Sequence, residues 1–338
     1  MLFLAIAGII AVGTTVLFFS DQSLADLRND LNGIAGRDRD ESPDTATQAE
    51  MTATAEAMAT PTPELMSVPD DLELSAEAAF VIHLEHDAVL FEKNADEQLQ
   101  PASTAKLITA ITVLEYASPD EVIEIIDEDV VDPVAESSMN LKGGDRVTVH
   151  DLIVGLMLPS GNDAANALAR AIGERIPDES EPDPRQRFIN EMNQVANDIG
   201  MEQSTLLHAA GHDVDGQSVT ARELALAARA VLERPSLVPI VAMRHAEIRI
   251  GGDDPRVIPV ENTNELLVYD GVYGVKTGTT TEAGQALIAA WRDDQGTIVA
   301  VILGSQDRYG DARKLLGLPE PPEPDDEPDP EVESQPES

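Results

Sequence analysis

The chain has no cysteine. Disulfides and thiolate metal sites are thereby excluded, a composition that suits an exported protein without requiring export. Positive charge is also scarce. Lys and Arg number 22 against 63 Asp and Glu, so the formal net charge is -41 and the pI lies near 4.1. Phosphate backbones would be repelled, which argues against nucleic acid as a partner. Charge of either sign is missing from residues 2–19, a run of 18 positions. As a helix that run spans roughly 27 Å, close to the hydrocarbon core of a bilayer. It lacks the positive n-region and the small-x-small site of a cleaved signal: Met1-Leu2-Phe3 opens the chain, and Phe18, Phe19 and Ser20 run directly into Asp21. Residues 1–20 therefore read as a transmembrane anchor with the rest of the chain outside the cytoplasm. If the segment is instead a cleaved signal, the protein is secreted.

What is present falls into three further parts. Residues 21–71 are rich in Ala, Thr, Glu, Asp and Pro and poor in large apolar side chains. Such a stretch cannot offset its ordering entropy and reads as a disordered acidic stalk. Residues 319–338 are almost all Pro, Glu, Asp and Ser, the composition of a disordered tail. Between them, residues 72–318 hold the folded unit. Two apolar runs, 79–84 and 88–91, split by Glu85-His86-Asp87, predict a hairpin. The middle reads as helical. Thr148 with Asp151 caps a helix running through Leu158, and Thr220-Ala-Arg-Glu223 has the form of a capping box. Between them Phe188, Met192, Val195, Ala196 and Ile199 recur at helical spacing up to Gly200. Strand patterns return at 286–291 and 297–303, joined by Asp293-Asp-Gln-Gly296, and a last helix starts near Asp311. Strands at both ends with helices between them predict an α+β fold: an antiparallel sheet with flanking helices and an inserted helical lobe.

Three short elements carry chemistry. In Ser103-Thr-Ala-Lys106, just after Pro101, the i, i+3 spacing places a hydroxyl and an amine on one helical face. A lysine whose pKa is lowered by burial can deprotonate such a serine, and a helix N-terminus offers N–H groups to a developing oxyanion. The apolar run 107–114 that follows buries this helix, so a lysine at its start needs a reason. Ser160-Gly-Asn162 lies between the apolar segment 152–158, broken by Pro159, and a second helix from Ala164. A tight polar turn there can hold a hydroxyl and an amide rigidly over a cleft. Lys276-Thr-Gly278, followed by Thr279, closes an alternating run. On an edge strand Lys276 supplies positive potential, Thr277 and Thr279 supply hydroxyls for a carboxylate, and Gly278 permits close backbone approach. Singly, each has an ordinary alternative: a solvated helix, a capped turn, an exposed strand. His208 and His212 are four apart, but Gly211 between them argues against a zinc helix, and no metal or cofactor is implied. The Asp127-Glu-Asp129 cluster reads as solvated loop charge.

The ordered set resembles the low-molecular-mass penicillin-binding proteins, the serine-type D-Ala-D-Ala carboxypeptidases. The resemblance extends to Ser137-Ser-Met-Asn-Leu-Lys142, to Gly155-Leu-Met-Leu-Pro-Ser-Gly-Asn-Asp-Ala164, to Gly211-His-Asp-Val-Asp-Gly216 and to Arg308-Tyr-Gly-Asp-Ala-Arg-Lys-Leu-Leu316, covering about residues 75–318. It implies a β-lactamase/transpeptidase-like fold and a penicillin-sensitive enzyme of peptidoglycan biosynthesis that removes the terminal D-alanine of stem peptides through an acyl-enzyme. By the same resemblance, Ser103 is the nucleophile and Lys106 its general base. Ser160 relays a proton to the departing D-alanine, and Asn162 orients Lys106 and the substrate amide. The N–H groups of Ser103 and Thr279 form the oxyanion hole, and Lys276, Thr277, Thr279 and Arg308 hold the terminal carboxylate. Its partners would be stem peptides ending in D-Ala-D-Ala and β-lactams as covalent inhibitors. Two features depart from the family. It often carries a β-rich domain and an amphipathic helix after the catalytic unit, where an acidic tail stands here, and His212 replaces an apolar residue. A D,D-endopeptidase on cross-linked wall and a catalytically weak wall-binding or penicillin-sensing module remain open. A β-lactamase would need a deacylating glutamate, for which no motif stands out between Ser160 and Lys276.

Overall fold

The computed structural model describes residues 65–69, 71–177 and 180–320. The N-terminal segment of residues 1–20, nearly all of the stalk and residues 321–338 of the tail lie outside them. Among the described residues no helix is long and apolar enough to cross a membrane. The chain joins the core before Leu72: Val68 is buried, and Met66 packs beside it.

The expected hairpin forms from β1 (Ala78–His83) and β2 (Ala88–Lys93). Three long strands complete the sheet: β7 (Val272–Thr280), β8 (Gly284–Arg292) and β9 (Thr297–Ser305). Their order is β2-β1-β9-β8-β7, antiparallel throughout. Strand side chains alternate between faces, and here both faces are covered. Ala78, Phe80 and Ile82 enter one apolar cluster with the central helices, whereas Ala79 and Val81 enter another with the last helix. That is why β1 reads as an unbroken apolar run instead of an alternating one.

Six helices follow in chain order before the last strands: α1 (Lys106–Tyr116), α2 (Val149–Met157), α3 (Asn162–Gly173), α4 (Pro184–Asp198), α5 (Ala221–Leu232) and the short α6 (Val238–Ala242). Helix α7 (Arg308–Leu316) ends the described fold. Helix α1 is the axle of the molecule: every residue from Lys106 to Val113 is buried, as expected of a helix apolar all round. Local signals set the ends. Thr148 accepts from Asp151 N at the start of α2, Asp183 accepts from Arg185 N ahead of Pro184, and Gly317, left-handed at φ 62°, closes α7.

Three findings depart from the pattern reading. A second antiparallel sheet, of four strands, stands within the region read as helical. It comprises β3 (Val122–Glu124), β4 (Asp145–Thr148), β5 (His245–Gly252) and β6 (Arg256–Glu261). The first two strands are too short to display a period of two. The capping box at Thr220 is half formed. Thr220 accepts from Glu223 N, but the Glu223 carboxylate turns to Gln203 N and Ser204 Oγ instead. Asp129 is not a solvated loop charge. It is fully buried, its Oδ1 accepting from Arg170 and Arg185 on two helices and its Oδ2 from Arg170. A buried carboxylate is tolerated only when paired in this way.

Candidate active site

The three elements converge at the N-terminal end of α1. Ser103 sits in a 3-10 turn (Ala102–Ala105) that runs directly into α1, so Lys106 is that helix's first residue. Thr104 tightens the turn, its N–H and hydroxyl both donating to Pro101 O at 3.2 and 2.5 Å. The i, i+3 relation then brings Lys106 Nζ to 2.8 Å from Ser103 Oγ.

Lys106 has no exposed surface, and its Nζ lies 2.7 Å from Asn162 Oδ1 and 3.0 Å from Ala210 O. An uncharged amine has two N–H bonds and one lone pair. Those donors match the two carbonyl oxygens, which leaves the lone pair facing the serine hydroxyl. The electrostatics agree: burial first, and the neighbouring Lys276 second, hold the Lys106 amine well below the ordinary lysine range, opposed by Asp163 and Glu136.

Ser160 and Asn162 belong to the turn between α2 and α3. Ser160 is held left-handed at φ 62°, a conformation that costs an L-residue of this kind about 1 kcal/mol and is kept at functional turns. Its Oγ is buried and makes no hydrogen bond with any described residue. Buried hydroxyls are rarely left so. Beside it, Asp163 is fully buried and gathers Ser138 Oγ, Met139 N and Leu141 N, fixing the 137–141 loop against the turn.

Lys276, Thr277 and Gly278 lie within β7, the sheet's edge strand, and not at its end. Lys276 is buried, and its Nζ donates to Thr277 O at 3.0 Å. Burial, with Arg308 nearby, lowers its amine to about 7. Thr277 Oγ1 lies 2.5 Å from Thr263 Oγ1. Arg308, at the start of α7, donates from Nη1 to Gly278 O and Thr279 Oγ1, both at 2.9 Å. Gly278 is needed for a reason the pattern did not show: a Cβ there would stand 2.8 Å from Ser103 N and 2.9 Å from Ala102 Cβ. From the other side Gly211, at φ +79°, abuts Ala102 O, where a Cβ would overlap the backbone. Two glycines thus wedge the Ser103 turn between β7 and the 208–213 loop.

All nine residues singled out from sequence line this one cleft or its walls. Pattern reasoning noted His212 only as a departure from the family and did not single out the other groups behind Asn162, Asp163 and Glu136. Asp163 adjoins the turn motif and Glu136 directly precedes Ser137-Ser-Met, so proximity to a motif was the only signal. A cavity of about 770 Å³ opens elsewhere, between the 262–269 segment and Tyr309 and Arg313. None of Ser103, Lys106, Asn162 and Lys276 lines it.

Comparison with known proteins fits this geometry. The family profile described as D-alanyl-D-alanine carboxypeptidase matches residues 64–307. The D-alanyl-D-alanine carboxypeptidase DacC of Escherichia coli is 34% identical over 243 residues, 68% of this chain and 57% of that relative. The chain thus spans rather less than two thirds of that curated relative's length. The crystal structure of the Streptomyces K15 DD-transpeptidase superposes with a TM-score of 0.69 at 28% identity, covering 75% of this chain and 98% of that one. Penicillin-binding protein D2 of Listeria monocytogenes, in its ampicillin-bound form, gives 0.61 at 30% identity, covering 74% and 99%. With a buried lysine amine held against a serine hydroxyl, a hydroxyl and amide on the facing turn, and a family match over more than two thirds of its length, the chain belongs to the D-alanyl-D-alanine carboxypeptidase family.

Proposed function

We propose that the protein is a penicillin-sensitive serine D,D-carboxypeptidase that removes the terminal D-alanine from peptidoglycan stem peptides. The observation that carries this reading is the 2.8 Å contact between Ser103 Oγ and an amine that burial holds well below the ordinary lysine range. Ser103 Oγ gives its proton to Lys106 Nζ as it attacks the carbonyl carbon of the penultimate D-alanine. The N–H groups of Ser103 and Thr279 take the oxyanion. The proton passes from Lys106 by way of Ser160 Oγ to the departing D-alanine amine, and the peptide C–N bond breaks. A water then hydrolyses the ester with Lys106 again as base. Lys276, Thr277, Thr279 and Arg308 hold the substrate's terminal carboxylate, the local positive charge that so acidic a protein needs for an anionic ligand. A β-lactam enters by the same attack and stays as an ester on Ser103. The uncharged run of residues 2–19 supports a location outside the cytoplasm, at the membrane.

Intact mass after penicillin exposure, followed by D-alanine release from a diacyl-D-Ala-D-Ala peptide, tests this reading. A single adduct that Ser103→Ala abolishes, together with released D-alanine, is expected. Full labelling of Ser103→Ala would sink the nucleophile assignment, and an adduct without D-alanine release would shift the reading to an endopeptidase or a sensor.

A further inference from the structure

Asn162 uses its side-chain oxygen on Lys106, so the other side of the amide has to be held for that orientation to persist. An amide with nothing on its nitrogen side can turn over and present N–H groups to the amine. Here the nitrogen side is occupied. Asn162 Nδ2 lies 2.9 Å from Glu136 Oε2 and 2.9 Å from His212 Nε2, which together match its two protons. Glu136 comes from the loop ahead of α2 and His212 from the loop between α4 and α5, so two separate segments converge on one amide.

The imidazole is itself placed. His208 stacks on His212 with centroids 4.2 Å apart and planes 13° apart. Burial first, then His212 and Lys106, lower His208 to about 4, so His208 carries no charge near neutral pH. His208 Nδ1 accepts from Ala210 N, which fixes the residue whose carbonyl receives Lys106. Asp213, next along the chain, is engaged with Thr280 Oγ1 and Glu282 N and so ties the loop to the end of β7.

Resting on the serine-peptidase reading above, we propose that Glu136 and His212 are positioning residues for acylation: they hold the Asn162 amide with Oδ1 toward Lys106, and the Glu136 carboxylate stands on the far side of that amide from the lysine. His212 Nε2 also lies 3.0 Å from Glu136 Oε2, so the three polar atoms form a triangle. With the His212 proton on Nδ1, Asn162 satisfies both partners. With a proton on Nε2, His212 turns to Glu136 and the amide keeps Glu136 alone. Glu136 therefore pins the amide in either state, and His212 adds to it when its Nε2 is unprotonated. The charged groups facing Lys106 are Glu136 and Asp163, which favour the ammonium, and Lys276, which opposes it; His208 is close by and uncharged near neutral pH. Removing the Glu136 charge lowers the amine's pKa further, so the rising limb of acylation moves to lower pH.

The test is the rate of acylation by fluorescent penicillin from pH 5 to 9, with thermal unfolding as a check on folding. Glu136→Gln keeps an acceptor for Asn162 but not the charge. Its rising limb should move down by about half a pH unit, less than a fully buried contact would give, with the plateau kept within about threefold. Glu136→Ala should show the same shift and a plateau about ten- to a hundredfold lower, the usual cost of a slightly misplaced catalytic group. His212→Leu should lower the plateau and leave the limb in place, and His212→Gln, which restores an acceptor, should recover it. Should Glu136→Gln fail to fold, Glu136→Asp gives the converse: an unmoved limb with a lowered plateau. Wild-type-like limbs and plateaus in Glu136→Gln and Glu136→Ala overturn the proposal while the serine-peptidase reading stands. An unlabelled wild type overturns both.

Discussion

Two lysines are buried in this protein, and their surroundings differ in kind. Lys106, on the helical wall of the cleft, faces a serine oxygen, an amide oxygen and a backbone carbonyl, with Glu136 and Asp163 behind them. Lys276, on the sheet wall, has one hydrogen bond among the described residues, to Thr277 O, and a cation, Arg308, as its charged neighbour. Both amines fall below the ordinary lysine range because burial disfavours charge. The first is supplied with every partner an uncharged amine can use, the arrangement that the proposed general base requires. The second has donors left over and positive charge beside it, surroundings that suit the proposed carboxylate anchor.

The sharpest way to break this contrast is to remove one amine at a time. Lys106→Ala should slow acylation by roughly 10²–10⁴-fold in both peptide and penicillin assays, the range for loss of a general base. A retained rate would mean that another group takes the proton. Arg308→Ala acts on the sheet wall alone. It should raise KM for a D-Ala-D-Ala peptide about tenfold while slowing penicillin acylation less, because a charge-assisted bond to the terminal carboxylate is lost. Equal damage to both substrates would show that Arg308 serves the strand and not the ligand. The smallest effect is a proton count. With its amine lowered to about 7, free Lys276 is mostly uncharged at pH 8, and a bound carboxylate favours the ammonium. Binding of an acyl-D-Ala-D-Ala peptide to Ser103→Ala at pH 8 should therefore take up a fraction of a proton, and at pH 6 almost none. Calorimetry in buffers of different ionisation enthalpy reads this directly, and buffer-independent heats at pH 8 would remove Lys276 as the anion anchor.

Much of the scaffold was legible because its signals are short-ranged. The hairpin at Glu85-His86-Asp87, the Thr148 cap and the helix ending at Gly200 each depend on contacts within a turn or two. Legibility failed where a residue's partner lies far along the chain. Glu223 has the form of half a capping box, yet its carboxylate is claimed by Gln203 and Ser204 some 20 residues earlier. Asp129 looked like loop charge, and Arg170 and Arg185 made it a buried anchor. Strands β3 and β4 exist only as partners of each other and of β5.

The site divides in the same way. The pairing of Ser103 with Lys106 was determined by sequence, since three positions on a helical turn oblige two side chains to meet. The residue types in Ser160-Gly-Asn162 and Lys276-Thr-Gly278 likewise stated which hydroxyls, amide and cation were on offer. Tertiary structure alone decided how those groups are poised. It closed spans of 56 residues from Lys106 to Asn162, 26 from Glu136 to Asn162 and 50 from Asn162 to His212. It also sealed both lysines from water, which is what moves their protons, and pressed Gly278 against Ser103 N. Periodicity and caps encode contacts within a few residues, whereas desolvation and long loop closures exist only once sheet and helices have packed.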